Sequence, residues 1–307
     1  MFGCAGFSAT SCPSIEFIET YSSTISFPAI RIVLSKAAVE DKEIVQLNIV
    51  TAFLESKIEE EIYLELTKEF GVSSGEKIVL QVQDGYNGHQ SGTRPTNVVV
   101  QLKKSLSGLR QAGCNWYNSL ESHLKKERGK ESSKYEARIY TTRSSATIMV
   151  WVDDMLVIRS KAHVAWMKSA ISKRFKIKDI GNVKFFLSML VEHDRHKRRI
   201  HLSQGAYITN VLTRFKMQNS KGCPTPMDPK SKLQNRLAEE EVSEKHQYQE
   251  AVGCLTYATI TTRPDIAYAS ALVGRFSADP STAHWAAVKR ILRYLRETQE
   301  IHLQLGR

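Results

Sequence analysis

Two adjacent acids, Asp153 and Asp154, lie between two short apolar runs and are the residues of this chain best suited to chemistry. The runs, 147–150 and 155–158, are rich in β-branched and apolar residues, which predicts two strands with the acids at the turn between them. A buried unpaired carboxylate is costly, whereas a divalent cation such as Mg²⁺ binds carboxylate oxygens and supports phosphoryl transfer. Asp is also common in solvated turns, and on this pattern alone the solvated turn is the favoured interpretation.

The charge of the 307-residue chain is strongly basic, with 43 Lys and Arg against 32 Asp and Glu and a net charge of +11. The excess is concentrated in residues 161–200, which carry 11 basic and 3 acidic side chains. Such a surface favours polyanionic partners, nucleic acid first and an anionic membrane surface second. Because the basic segment directly follows the acid pair, a polyanion bound to it is expected to lie close to the two acids.

The cysteines and the apolar segments indicate the compartment. Five widely spaced cysteines form no Cys-x-x-Cys pair, which argues against a zinc site or a disulfide framework and fits a reducing compartment. The first 14 residues lack the basic start and long apolar core of a secretory signal, and no apolar run is long enough to cross a bilayer. We therefore expect an intracellular protein with no membrane partner.

Apolar spacing around the acid pair indicates the elements that must position it. We expect helices over 29–40, over 102–127 with a break near Gly108 or Gly113, over 162–175, and over 207–215. We expect strands over Glu43–Ile49, 183–192 and 198–203, besides the two that flank the acids. Residues 71–97 are rich in glycine and polar side chains, which predicts a long loop.

Eight sequence blocks occur in an order that is found in one known family. They are IEFIETY at 15–21, VQLNIVTAFL at 45–54, EEEIY at 59–63, LKKSLSGLRQA at 102–112, WVDD at 151–154, FKIKDIG at 175–181, TRPDIA at 262–267 and KRILRYL at 289–295. Through them the chain resembles, over about residues 15–305, the reverse transcriptase domain of copia-type LTR retrotransposon Pol polyproteins. A lone Val-Asp-Asp would be weak, but eight ordered blocks are specific.

The resemblance implies an α+β fold: a polymerase palm with an antiparallel sheet and packed helices, followed by a helical region similar to a thumb and connection, with the fingers largely missing. The expected divisions are an irregular N-terminus at 1–14, a palm at 15–200 with a loop insertion at 71–97, a thumb-like start at 201–217, a linker at 218–246 and a helical connection region at 247–307.

The resemblance also implies a metal site at the acid turn. Asp153 is the expected main metal ligand and Asp154 its supporting acid, both acting with an acid on a neighbouring strand. Two Mg²⁺ ions, with Mn²⁺ as an alternative, would promote nucleotidyl transfer. The implied partners are an RNA template, a DNA primer and deoxynucleoside triphosphates.

Further residues take on roles by the same resemblance. Phe53 matches the aromatic steric gate that rejects a ribose 2′-hydroxyl, and without the resemblance it would be interpreted as an ordinary core aromatic. Gln111 matches a glutamine near the incoming nucleotide, with a surface polar residue as the equal alternative. Phosphate contacts are expected from five basic residues, Lys173, Arg174, Lys176, Lys178 and Lys184, although some of the basic segment will be a solvated face.

The chain departs from the family at the position of its first catalytic Asp, which is Asn48 here. An amide removes one negative charge from a site that must hold two dications, so metal binding and catalysis should both weaken. The fingers, ribonuclease H and integrase parts of a Pol polyprotein are also not matched. We therefore expect a truncated, degenerate copy with weak or no activity, found in the cytoplasm in virus-like particles or in the nucleus.

Two hypotheses remain open, and a third is set aside. The chain is either an RNA-directed DNA polymerase domain with impaired activity or a non-catalytic nucleic-acid-binding remnant or pseudogene product. An unrelated two-metal nuclease would need another acid-rich strand, and Glu59–Glu61 is the only acidic run near the site residues in sequence.

Overall fold

The computed structural model describes residues 24–58, 60, 62–66, 98–126, 131–132, 136–141, 146–228, 233–236 and 244–307. Its helices are α1 (Phe27–Val39), α2 (Ala112–Lys126), α3 (Lys161–Ser172), α4 (Gly205–Arg214), α5 (Lys245–Thr261), α6 (Ala267–Gly274) and α7 (Thr282–Glu297). Its strands are β1 (Glu43–Ile49), β2 (Tyr63–Leu66), β3 (Val98–Gln101), β4 (Glu131–Ser132), β5 (Ile139–Thr141), β6 (Thr147–Trp151), β7 (Asp154–Arg159), β8 (Ile177–Asn182), β9 (Phe185–Phe186), β10 (Met189–Asp194), β11 (Arg199–Ser203) and β12 (Leu303–Gly306). The described residues thus form an α+β fold of helices and antiparallel strands, as predicted.

The chain divides into two compact units, and the first contains Leu47–Val157 and Ala162–Asp179. A six-stranded sheet of order β4-β5-β6-β7-β1-β8 runs through it, with β5 and β6 antiparallel and Tyr140 opposite Ile148. The central residues of β6 and β7 are buried on both faces of the sheet, which explains why these runs are continuously apolar. Trp116 of α2 packs edge-to-face on Phe175, with ring centroids 5.2 Å apart, in the same core.

The second unit contains Ile25–Gln46, Ile158–Lys161 and Ile180–Arg307. Its antiparallel sheet has the order β12-β11-β10-β9, and its helices α4, α5, α6 and α7 enclose a buried apolar cluster. The apolar stripe of α7 faces this cluster, since Val288, Leu292 and Leu295 are buried there. The arginines of α7 interleave with this stripe, so the helix is amphipathic with a 3.6-residue period.

Three expectations about elements need correction. The helix predicted from 102 begins only at Ala112, because Gly108 adopts φ +103° and turns the chain before it. The region 247–307 is not helical to its end, since β12 pairs with β11 in the register Leu202 to Leu303. Strand β8, at the edge of the six-stranded sheet beside β1, was not predicted. The strands at β1, β6 and β7 and the helices α1, α3 and α4 match their predictions within a few residues.

Other expectations stay predictions. The N-terminus at 1–14 and the loop at 71–97 lie outside the described residues. The described parts of the predicted linker, 218–228 and 233–236, contain neither helix nor strand. The domain bounds implied by the resemblance are not tested by the division into two units.

A buried arginine joins the start of α6 to the end of α7 in the second unit. Arg263 is 0% exposed, and its guanidinium donates to both carboxylate oxygens of Asp265, at 2.9 Å to Oδ1 and 2.7 Å to Oδ2. It also donates to the backbone oxygen of Thr298 at 2.9 Å, which satisfies a carbonyl at the end of α7. Tyr294 adds a hydroxyl donor to Asp265 at 2.8 Å. The Arg263 side chain therefore links the segment before α6, through its bidentate pair with Asp265, to the end of α7, through the Thr298 carbonyl.

We predict that Asp265→Asn lowers the free energy of unfolding by about 1–3 kcal/mol, because Arg263 stays buried without its anion. Burial alone would raise the pKa of Asp265, but the hydrogen bonds from Arg263 and Tyr294 outweigh it and lower that pKa. A carboxyl with a lowered pKa stabilises the fold above its ordinary value of about 4, and this contribution is lost as the pH falls below it. Urea denaturation at pH 7 and at pH 3 measures both effects.

Glu250→Gln is the control, since Glu250 pairs with Arg214 through side chains that are 49% and 58% exposed. This change should cost at most about 1 kcal/mol. The role of Arg263 is contradicted if the two substitutions cost the same, or if the loss in Asp265→Asn is as large at pH 3 as at pH 7.

Candidate active site

The two acids lie at the hairpin turn that joins β6 to β7. Val152 and Asp153 form the turn, and Asp154 begins β7. Val152 has φ +55°, in the left-handed region, where a β-branched residue is strained by about 1–2 kcal/mol. Asp153 is exposed and Asp154 is half-buried, so both carboxylates can be reached from solvent.

Strand β1, next to β7 in the sheet, brings Asn48 to this turn. The Asn48 side-chain Nδ2 donates to Asp154 Oδ1 at 3.3 Å, although the two residues are 106 positions apart. The backbone N–H of Ile49 donates to the Asp153 carbonyl at 2.8 Å. The structure therefore joins the three residues that the sequence predicted as one site: two carboxylates and an amide.

The donor set at the turn is too small for two Mg²⁺ ions. Two Mg²⁺ ions carry four positive charges, whereas Asp153 and Asp154 together supply two negative ones. Asn48 supplies none, and it turns the N–H side of its amide toward Asp154. Among the described residues, no group of three or more His, Cys, Asp or Glu side chains could hold a metal ion. The carboxylates suit one hard dication, and the described residues do not fit a pair.

Phe53 follows β1 in a short 3₁₀ helix, Ala52–Glu55. The chain enters this helix through Thr51 at φ +54°, and Ser56 closes it by donating its hydroxyl to the Phe53 carbonyl at 2.8 Å. The Phe53 side chain is half-buried, so part of its ring faces solvent. Its role as a steric gate stays a prediction.

Gln111 directly precedes α2 and is only 1% exposed. The alternative that it is a surface polar residue is therefore wrong. Its side-chain Nε2 is buried without a hydrogen-bond partner among the residues that the structure describes. A buried donor without an acceptor is uncommon in folded proteins. The predicted contact with a nucleotide is untested, but an acceptor atom would satisfy this amide.

The predicted phosphate-binding residues are all exposed. Four of them, Lys173, Arg174, Lys176 and Lys178, follow α3 in the first unit, and Lys184 belongs to the second unit. Arg174 donates to the hydroxyl of Ser119 at 2.7 Å, which orients its guanidinium. The exposure of these side chains leaves their charges available to a polyanion.

Sequence reasoning missed two aromatic residues of α2 that contact the turn. Trp116 Nε1 donates to the Val152 carbonyl at 2.8 Å, and the Val152 N–H donates to the Tyr117 hydroxyl at 3.0 Å. Both side chains are buried. The apolar spacing of α2 indicated only that these rings face the core, since a side-chain contact with a distant backbone leaves no local pattern.

A cavity of about 560 Å³ lies in the second unit. Residues from β9, β10, β11 and α4 line it, including Phe185, Leu190, Glu192, Gln204 and Tyr207, and none of these was predicted as a site residue. Size alone would make this cavity the default binding site. We place the candidate site at the acid turn instead, because the carboxylates and Asn48 meet there.

None of the helices that the structure describes is long and apolar enough to cross a membrane.

Comparisons with known proteins agree with the blocks in the sequence. Residues 85–229 match the family model described as reverse transcriptase (RNA-dependent DNA polymerase). The retrovirus-related Pol polyprotein from transposon TNT 1-94 of Nicotiana tabacum is 38% identical over 294 residues, which cover 92% of this chain and 21% of that protein. The corresponding polyprotein from transposon RE1 of Arabidopsis thaliana is 31% identical, covering 93% of this chain and 18% of that protein.

More distant similarity extends to yeast. The truncated transposon Ty1-A Gag-Pol polyprotein of Saccharomyces cerevisiae is 24% identical over 313 residues and covers 94% of this chain. The chain spans about a fifth of the length of the first of these relatives. The similarity therefore covers nearly the whole chain but only one part of each polyprotein.

We predict that Asn48→Asp destabilises the protein without metal by about 1–2 kcal/mol, because it replaces a hydrogen-bond donor to Asp154 with a like charge. A hard dication relieves this repulsion, so millimolar Mn²⁺ should stabilise the variant more than the unmodified chain. Urea denaturation with and without Mn²⁺ measures the difference. Asn118→Asp, the same change at an exposed position of α2, is the control. Equal behaviour of the two variants would contradict the arrangement at the turn.

Proposed function

This chain belongs to the reverse transcriptase (RNA-dependent DNA polymerase) family of copia-type retrotransposon Pol polyproteins, and we propose that it is a polymerase domain whose nucleotidyl transfer is impaired by Asn48. The contact between Asn48 and Asp154, at 3.3 Å beside Asp153, carries the proposal. It places an amide where the family's chemistry needs a third carboxylate. In this proposal the two acids are the retained part of the site, and the amide is the reason that activity would be impaired.

Charge is the physical reason for the impairment. Asp153 and Asp154 would hold the Mg²⁺ of such a site, which would supply activation of the attacking hydroxyl and neutralisation of the charge on the transferred phosphoryl group. Asp153 and Asp154 can orient one dication, but Asn48 adds no charge and occupies one oxygen of Asp154. A cost of several kcal/mol to the barrier follows, and each ~1.4 kcal/mol is a tenfold loss of rate.

Two further residues have proposed roles in nucleotide binding. Phe53 keeps part of its ring exposed just after β1, which suits a side chain that meets a sugar edge. Gln111 is a buried amide whose donor has no partner within the described part of the chain, which suits contact with a phosphate or sugar oxygen. The position of Phe53 requires the nucleotide to approach the end of β1 where Asn48 lies.

The proposed partners are an RNA template, a DNA primer and deoxynucleoside triphosphates. The relatives are Pol or Gag-Pol polyproteins, of which the chain matches one part. Ribonuclease H and integrase activities would then come from other parts of such a polyprotein. Action on an RNA template places the protein in the cytoplasm, within virus-like particles, or in the nucleus.

A second candidate function is nucleic-acid binding without catalysis. The observation that favours it is the exposed run Lys173, Arg174, Lys176 and Lys178, in a chain of net charge +11. Binding of this kind depends on phosphate neutralisation rather than on the acid turn. It therefore survives the replacement of the first carboxylate by Asn48.

Primer extension on a poly(rA) template with an oligo(dT) primer tests the catalytic proposal, with Mg²⁺ and with Mn²⁺. We expect the unmodified chain to stay at background and Asn48→Asp to rise at least about tenfold above it, since one carboxylate is restored. Asn48→Asp combined with Asp153→Ala is the control and should return to background. Clear extension by the unmodified chain that is lost in Asp153→Ala would show that the amide is tolerated.

A gel-shift titration on an RNA–DNA duplex at several salt concentrations tests binding. We expect affinity to fall steeply with salt, and the change of the four residues after α3 to Gln should reduce the slope of log K against log salt by about 0.7–0.9 for each phosphate that is no longer neutralised. A charge-matched control changes four other exposed cations to Gln: Lys216, Lys221, Lys245 and Arg275. Binding that does not respond to salt, or equal slopes for the two variants, would contradict the assignment.

A further inference from the structure

We infer that Trp116 and Tyr117 are positioning residues that hold the Val152 peptide groups in their strained conformation and so aim the carboxylates of Asp153 and Asp154. The inference deepens the proposed function, because it concerns the same acid turn. It assigns a role to two residues that lie on α2 and belong to neither strand of the hairpin.

The need for such residues comes from the backbone at the turn. Val152 has φ +55°, a region that β-branched side chains avoid because Cβ crowds the neighbouring carbonyl group. A two-residue turn between twisted antiparallel strands favours positive φ, which glycine or asparagine usually supplies. Valine at this position must therefore be held by its surroundings.

Both backbone polar groups of Val152 are held by consecutive residues of α2. The Trp116 indole donates to the Val152 carbonyl at 2.8 Å, and the Tyr117 hydroxyl accepts from the Val152 N–H at 3.0 Å. The two side chains are 0% and 2% exposed, so little water competes for these bonds. A donor on one side and an acceptor on the other define the orientation of both peptide planes that flank Val152.

The two aromatic side chains are themselves fixed. The Trp116 ring packs edge-to-face on Phe175 at 5.2 Å, and the Arg138 guanidinium carbon lies 3.4 Å from the centroid of the Tyr117 ring. Arg138 also reaches the hairpin through its backbone, since its carbonyl accepts from the Val150 N–H at 3.1 Å. Burial raises the pKa of Tyr117, which keeps its hydroxyl protonated at neutral pH.

Strand β1 holds the other side of the same turn. Ile49 N–H donates to the Asp153 carbonyl at 2.8 Å, and Asn48 donates to the Asp154 carboxylate at 3.3 Å. The four contacts leave the turn little freedom to rotate. Removal of the Tyr117 hydroxyl should release the Val152 N–H while it leaves the ring and the helix in place.

The experiment compares Tyr117→Phe with Tyr140→Phe in the full chain. Tyr140 is the matched control, because it is as buried as Tyr117 in the first unit, and its hydroxyl lies beside the Arg138 side chain rather than on a backbone group of the turn. Backbone ¹³C and amide shifts of Val152, Asp153 and Asp154 in isotope-labelled protein report the conformation of the turn. We expect the backbone shifts of Val152 to lose the values typical of positive φ in Tyr117→Phe and to keep them in Tyr140→Phe.

A rescue variant separates positioning from general packing. Glycine adopts φ +55° without strain, so the turn should keep its conformation in Tyr117→Phe combined with Val152→Gly. The amide shifts of Asp153 and Asp154 in this double variant should therefore match those of Val152→Gly alone. Loss of packing at Tyr117 would not be repaired by a glycine at the turn. Two results would overturn the inference. One is unchanged turn shifts in Tyr117→Phe. The other is a double variant whose Asp153 and Asp154 shifts depart from those of Val152→Gly by as much as Tyr117→Phe departs from the unmodified chain.

Binding of Mn²⁺, followed by electron paramagnetic resonance, connects the turn to the proposed function. We expect Tyr117→Phe to weaken binding by about tenfold, the lower end of the usual effect of residues that orient metal ligands, and the glycine rescue to restore it. If the unmodified chain and Asp153→Ala bind Mn²⁺ equally, the metal role of the acids fails. The shifts of the turn in Tyr117→Phe then still decide whether α2 holds the turn through Tyr117.

Discussion

The arrangement of the acid turn depends on hydrogen bonds that reach it from other elements. A two-residue turn with valine at positive φ is strained, and its carboxylates have a defined direction only if its peptide groups are held. Helix α2 provides contacts on one side of the turn, through Trp116 and Tyr117, and β1 provides contacts on the other. The sheet order, with β7 between β6 and β1, makes these contacts possible.

Asn48 changes the balance between stability and chemistry at this site. Three carboxylates within a few ångströms repel one another unless a cation is present, so a metal-dependent site of this kind is destabilising when it is empty. An amide at 3.3 Å from Asp154 replaces that repulsion with a hydrogen bond. Under the proposed function, the amide that favours the folded protein without metal also weakens the electrostatic field that nucleotidyl transfer would need. The proposed phosphate binding by the exposed basic residues after α3 does not depend on whether residue 48 is an amide or a carboxylate.

The outcome for individual elements shows which physical signals are local. The strands β1, β6 and β7 were predicted correctly, because short runs rich in apolar and β-branched residues are a local property of buried strands. The helix predicted over 102–127, with a break near Gly108 or Gly113, begins only at Ala112: leucines at helical spacing precede Gly108, but the positive φ of Gly108 ends any helix there. Strand β12 was missed, because its pairing with β11 joins segments about a hundred residues apart.

The sequence by itself determined the family, the acid pair at a turn, the exceptional Asn48 and the basic segment, because residue types and their order carry these properties directly. Only the tertiary structure decided that Asn48 donates to Asp154, that Gln111 is buried with a donor that has no partner among the described residues, and that two aromatic residues contact the Val152 backbone. These are contacts between distant segments, and their geometry follows from how the sheet and α2 pack together. No spacing along the chain encodes a distance between side chains that meet only after folding.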